Sequence, residues 1–303
     1  MSATITSYPQ KTVDSYLGTT QQFKMFNING VKDYAISFSE GTLSGGTTPT
    51  WNISASNPII THVTVLANNN PIIDTDIIPL QEYMENYTGQ SPDGLNFVIP
   101  LSDLDPRFNG QYIADTELPT FDYTDVELEL TFASLSTLTN GSPTSSSGTT
   151  MDYAEDIIPR AQVSSNLFSV RRFMYSTGLS NVSSFNDLTQ YLPQVGTYKA
   201  LQMFASTSTS DPYRNGSNSA ITNVELLLNQ TSRPLSTKFS LLRNQNISTF
   251  RRSPSTGYAT ILFSPSTSGL STANINELKN LDLRVYNNES ATTQLISLAT
   301  VYI

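Results

Sequence analysis

The chain has 303 residues, of which 38% are hydrophobic and only 14% charged, and its formal net charge is −9. That length exceeds one ordinary core and suits two domains of about 150 residues each. The lack of cysteine excludes disulfides and thiolate metal sites, and a single histidine, His62, excludes metal sites built on two or more imidazoles.

The first residues, Met1 to Tyr8, hold no basic segment followed by an apolar one, and no apolar run reaches the roughly 18 residues that span a bilayer. The expectation is a soluble protein made without a secretory signal. Abundant Ser, Thr and Asn suit strands with one wet face. In chain order, residues 1–18 read as an N-terminal arm, 19–135 as a first domain, 136–164 as a linker or long loop, and 165–303 as a second domain.

Within the first domain, apolar or alternating segments predict strands at Gln22–Phe26, Tyr34–Phe38, Ile59–Leu66, Leu95–Leu101 and Asp125–Phe132. The last is the clearest, because Val126, Leu128, Leu130 and Phe132 fall on one side and acids on the other, the period-2 pattern of a half-buried strand. A helix is predicted from Pro79 to Tyr87, started by proline and followed by Gly89. The second domain predicts strands at Asn166–Tyr175, Tyr198–Phe204, Ile221–Leu228, Tyr258–Phe263, Leu281–Tyr286 and Gln294–Ile303, with a Ser-capped helix at Ser184–Leu192 stopped by Pro193. Low-complexity tracts at Gly41–Thr50, Ser134–Thr150, Ser206–Ser219 and Ser264–Thr272 read as exposed loops.

An internal repeat organises these pieces. Ser56 to Asn68 aligns without a gap on Ser217 to Asn229, with seven identities, Pro79-Leu80 matches Pro234-Leu235, Gly94 opens a strand as Gly257 does, and Val126 to Leu130 matches Leu281 to Val285. The pairs keep their order at separations of roughly 155 to 163 residues. Two copies of one eight-stranded antiparallel unit, each closing its edges by stacking two sheets as a jelly roll, satisfy this pattern, so the fold class is all-β: two tandem jelly-roll β-sandwiches with short inserted helices.

Charge divides along the same line. Residues 1–160 hold 5 Lys/Arg against 19 Asp/Glu, whereas residues 161–303 hold 11 against 6. Opposite halves suit an assembly in which unlike surfaces meet, and an acidic first half argues against a nucleic-acid groove across the protein.

Catalytic signals are sparse. No P-loop, dinucleotide-binding glycine pattern or nucleophile elbow occurs, and His62 lies on the polar side of its strand, where the repeat places Asn223. Glu82 with Glu85, or Asp103 with Asp105, offers paired carboxylates for glycoside hydrolysis, yet such pairs are ordinarily solvated surface. The pairs Asp74/Asp76 and Asp103/Asp105 also supply hard oxygens for a structural Ca2+, against the plainer reading of aspartates capping turns. No other cofactor is expected. Arg171, Arg172, Arg251 and Arg252 are candidates for gripping carboxylates across subunit contacts. Asn52, Asn86, Asn229 and Asn246 begin Asn-X-Ser/Thr triplets, which composition alone explains.

The repeated β units, the acid-to-base contrast and the cysteine-free, sparsely charged composition resemble the double jelly-roll major capsid proteins of tailless icosahedral phages with an internal membrane. Corticoviruses, tectiviruses and the lipid-containing phage of Flavobacterium belong to this adenovirus-like lineage. The resemblance covers the chain from about residue 20 onward and rests on architecture, with no diagnostic motif. It implies a non-enzymatic subunit of a virion shell, assembled in the host cytoplasm, forming homotrimers of pseudo-hexagonal outline. Neighbouring capsomers, minor capsid or vertex proteins, and an inner membrane reached by the N-terminal arm are the implied partners. The rival reading is a trimeric phage fibre, spike or surface adhesin binding a receptor or glycan; a carbohydrate-active sandwich enzyme is weaker, because Trp51 is the sole tryptophan.

Overall fold

Alternation along Val126–Phe132 does what its period requires: Val126, Leu128, Leu130 and Phe132 are at most 2% exposed, and the residues between them are half-buried. A computed structural model describes residues 4–106, 110–113, 116–159, 170–179, 185–188, 192, 196–208, 212–228, 232–263, 273–274, 281–287 and 293–302. The chain separates into two units. The first comprises Met1–Glu85, Gln90–Leu104 and Tyr112–Val170, and the second Asn86–Gly89, Asp105–Gln111 and Arg171–Ile303.

The main strands of the first unit are β1 (Thr4–Ser7), β2 (Thr20–Lys24), β3 (Gly30–Ser39), β4 (Ile60–Ala67), β5 (Asn70–Asp76), β6 (Asn96–Pro100), β7 (Val126–Phe132) and β8 (Thr150–Ile158), with helix α1 (Ile77–Thr88) between β5 and β6. One sheet runs β1-β8-β3-β6 and the other contains β2-β7-β4-β5, every pairing antiparallel. Taking strands 1, 8, 3, 6 into one sheet and 2, 7, 4, 5 into the other is the jelly-roll order.

In the second unit the same order recurs. Its strands are β9 (Val170–Leu179), β10 (Asn186–Asp187), β11 (Thr197–Ser206), β12 (Ile221–Leu228), β13 (Ser232–Lys238), β14 (Tyr258–Leu262), β15 (Leu281–Asn287) and β16 (Thr293–Tyr302), with helix α2 (Phe239–Phe250) between β13 and β14. The sheets contain β9-β16-β11-β14 and β10-β15-β12-β13. Its core gathers Tyr198, Leu201, Met203, Val224, Leu283 and Val301, all fully or almost fully buried. The repeat read from the sequence is therefore a repeat of topology, down to one helix in the same connection.

Helices α1 and α2 each have 12 residues. In α1 the inward seam is Ile77, Leu80, Tyr83, Met84 and Tyr87, the spacing of one helical face. Helix α2 buries Phe239, Leu242, Asn246 and Phe250 and stops where Arg251 turns left-handed at φ 57°. Asn246 anchors it to β14: its amide donates to the Thr260 carbonyl and accepts from the Thr260 N–H, each at 2.7 Å. The matched glycines also agree, since Gly94 (φ 85°) and Gly257 (φ 86°) each take a left-handed turn into the strand after the helix.

Several sequence expectations are corrected. The N-terminal arm is not free over its described residues, because Thr4–Ser7 and Lys11–Thr12 both pair with β8 and so belong to the first sandwich. Over its described residues 136–159, the tract expected as a linker or long loop carries β8 and two short strands that bind the other low-complexity tract. Ser145–Ser147 pairs with Thr42–Ser44, and Thr139–Asn140 with Thr50–Trp51, because backbone pairing needs no apolar side chain. Asp14 fixes this pair of tracts, accepting from Ser146 Oγ (2.8 Å) and the Gly148 and Thr149 N–H groups (2.8 and 3.2 Å).

Where a helix is predicted over Ser184–Leu192, Asn186–Asp187 is strand β10, bonded to β15; Ser184 and residues 189–191 lie outside the described residues. The Pro79-Leu80 and Pro234-Leu235 match is coincidental, since the first pair lies in the opening turn of α1 and the second in strand β13. The tract Ser264–Thr272 and residues 166–169 of a predicted strand also fall outside the described residues.

Candidate functional site

His62 and its neighbours form the one polar cluster that the sequence marks in parts. On adjacent antiparallel strands His62 of β4 opposes Asp76 of β5, and Thr64 opposes Asp74, so both aspartates project on the histidine's face. His62 Nδ1 lies 2.8 Å from Asp76 Oδ1 and Nε2 2.8 Å from Asp74 Oδ1. The hydrogen bond to Asp76 comes first in raising the imidazole above its ordinary range; burial opposes it, and Asp74 adds to it. Asp74 and Asp76 are thus strand residues occupied by an imidazole, not turn caps.

Asp103 and Asp105 are buried in a short hairpin, Leu104–Asp105 against Gln111–Tyr112. The Leu104 N–H donates to Asp103 Oδ1 at 2.9 Å, and the Asp103 N–H donates to Thr116 Oγ1 at 2.9 Å. Among the described residues no group of three or more His, Asp and Glu side chains is arranged to hold a metal ion. Glu82 is buried in α1, while Glu85 is half-buried and accepts from Ser91 Oγ at 3.2 Å. Asn86 and Asn246 are 4% and 3% exposed, too enclosed to carry a glycan; Asn229 lies outside the described residues.

The four arginines separate. Arg172 is fully buried within the chain, which removes it as a grip for another subunit, and Arg171, its neighbour on β9, is half-buried. Arg252 is half-buried and its Nη2 donates to the Thr88 carbonyl at 3.3 Å inside the second unit, so it is engaged within the chain. Arg251, just past α2, is exposed.

A second cluster escaped the sequence reading. Tyr8 stacks between Phe26 and Tyr153, each ring centroid 4.7 Å away, and its hydroxyl donates to Glu155 while accepting the Phe26 N–H at 2.7 Å. Glu155 is 1% exposed, and burial pushes its carboxyl up to about 7 against the pull of the Tyr8 hydrogen bond. On the same strands Asp33 is pushed up to about 6, first by burial and then by the charge of Asp156, which opposes it across β3 and β8, while the charge of Lys32, which bonds Asp156 at 3.0 Å, pulls it down. The signal for Glu155 existed, because it shares the inward phase of Met151, Tyr153 and Ile157.

Nothing in either cluster brings an activated nucleophile beside an acid–base partner; the polar groups lock strands together. No protein-family model matches the chain, and no curated protein matches it. Solved structures do. The crystal structure of the STIV major capsid protein aligns with 100% of this chain and 97% of its own, with a TM-score of 0.73 and 12% identity. The major capsid protein of bacteriophage PM2 aligns over 100% and 98% with a TM-score of 0.70 and 10% identity, and the PBCV-1 virus capsid over 99% and 94% with 0.64 and 14%. From end to end, the chain has the tandem jelly-roll fold found in viral major capsid proteins.

Proposed function

We propose that this protein is a major capsid protein, a structural subunit whose trimers present six jelly rolls in a pseudo-hexagonal outline and tile an icosahedral virion shell. The observation that carries this reading is full-length agreement: two complete jelly rolls, in the same order and with the same inserted helix, matching nearly the whole of each capsid protein in the comparison. Packing the same unit twice in one chain lets three copies fill a six-fold outline. Neighbouring capsomers are the principal partners, minor capsid and vertex proteins fill positions that trimers leave open, and the virion is the location.

The fold also supports a non-enzymatic role, with His62 and Glu155 tied to neighbouring strands. A membrane contact through an N-terminal arm loses its support, since Thr4–Ser7 is built into the sandwich. The fibre or adhesin reading draws no specific observation, because the repeating unit is a whole domain. The test is protein stoichiometry of particles purified from the source. This chain should be their most abundant protein by mass spectrometry, and its absence from the shell fraction would overturn the proposal.

A further inference from the structure

Several strands end their sheets among the described residues, and two of them, β1 in the first half of the chain and β13 in the second, have contrasting surroundings. Among the described residues β1 pairs only with β8, and β13 only with β12, so each ends its sheet with unpaired backbone N–H and C=O groups. Such an edge is a template for another strand. In β13 the register shifts opposite Leu226–Leu228, where Arg233 and Pro234 fall, and proline has no N–H to offer. The usable edge is therefore Leu235–Lys238, a run as long as β1.

The surroundings of these edges are complementary. On and beside β1 apolar side chains stand in solvent: Ile5 is 66% exposed and Phe26 46%. Phe26 is held rigid by its stack on Tyr8, the residue after β1. Strand β8, against which β1 lies, carries the exposed Asp152 and the half-buried Asp156, which is ion-paired with Lys32 and is the register partner of Ile5. The β13 edge instead carries Arg233, 54% exposed while it bonds Glu225, and the exposed Lys238. Pairing β1 with its own copy would set acid against acid, whereas pairing it with β13 sets acid against base. Because the two edges differ, that contact is heterologous, and a repeated heterologous contact closes into a ring when the rotation allows.

We propose that β1 of one copy pairs with Leu235–Lys238 of the next, so that each subunit boundary of the trimer is a continuous β-sheet. This rests on the capsid-trimer reading and adds the surface that builds it. The absence of cysteine makes the test direct. Ile5→Cys or Ser7→Cys is combined in one chain with Ser236→Cys or Lys238→Cys, giving four pairs that cover the neighbouring registers. After mild oxidation at least one pair should run as a covalent trimer on a non-reducing gel, and each single-cysteine variant should not. Trimers by light scattering with no cross-linked pair would overturn the edge contact and leave the capsid reading standing; a chain that stays monomeric at every concentration would overturn both. Hydrogen exchange on the unaltered protein gives a second readout free of folding effects. Amides in 4–7 and 235–238 should exchange at least tenfold more slowly in the trimer than in the dissociated subunit, and unchanged exchange in either segment would overturn the proposal.

Discussion

Glu155 and Tyr8 meet inside the first sandwich, the phenol of Tyr8 donating to a carboxylate that is 1% exposed. The pair ties the start of the chain to β8. Because burial raises the folded-state carboxyl to about 7 from an ordinary 4.5, the folded protein holds that proton longer than the unfolded chain does. Stability from this group is full below the ordinary value and falls as pH rises to about 7. Glu155→Gln keeps the acceptor and removes the titration, so it should stabilise the protein at pH 8 by roughly 1–3 kcal/mol and have little effect at pH 4. Urea unfolding at the two pH values checks this.

His62 carries the same sign by a different cause. Asp76 and Asp74 raise its folded-state value, so its contribution is complete at mildly acidic pH and disappears as pH rises through that raised value. With about a third of the side chain exposed the effect is modest. His62→Asn should cost about 0.5–1 kcal/mol at pH 5.5 and almost nothing at pH 8.5. Thermal melts across that range give the comparison.

Asn246 and Thr260 exchange two hydrogen bonds in a buried setting. Asn246→Ala leaves the Thr260 N–H and carbonyl without those partners under α2 and should cost about 2–4 kcal/mol. The loss should appear in hydrogen exchange of α2 and β14 before it appears in the first unit.

Much of this architecture is legible in the residues. Period-2 alternation is plain in Val126–Phe132, and Ser56–Asn68 against Ser217–Asn229 exposes the repeat, because strand β4 and its counterpart β12 bury equivalent faces. Helix α2 is hidden because its seam consists of only Phe239, Leu242 and Phe250 with a polar Asn246 among them, a face that Ser, Asn and Gln dilute. The strands Thr42–Ser44 and Ser145–Ser147 are hidden for a related reason: they pair through backbone alone, and no apolar period marks them. Arg172 reads as a surface residue until β9 is seen to turn it inward. The Asp74–His62–Asp76 cluster needs the β4–β5 register, which spacing along the chain does not supply.

In the capsid reading proposed above, Arg171 and Arg251 are the arginines left accessible for a contact between copies, since Arg172 is buried and Arg252 bonds the Thr88 carbonyl. The double variant Arg171→Glu, Arg251→Glu should weaken trimers about tenfold at low salt, with the difference shrinking as ionic strength screens the charges. Sedimentation at two salt concentrations reads the effect, and Arg172→Glu should instead impair folding of the second unit.

Under the capsid reading proposed above, two equivalent jelly rolls per chain build a six-lobed trimer. Negative-stain microscopy of the purified protein tests it most directly: class averages should show three-fold particles with six lobes of similar size around a pseudo-hexagonal rim. Isolated monomers at micromolar concentration, or an elongated shaft, would contradict it.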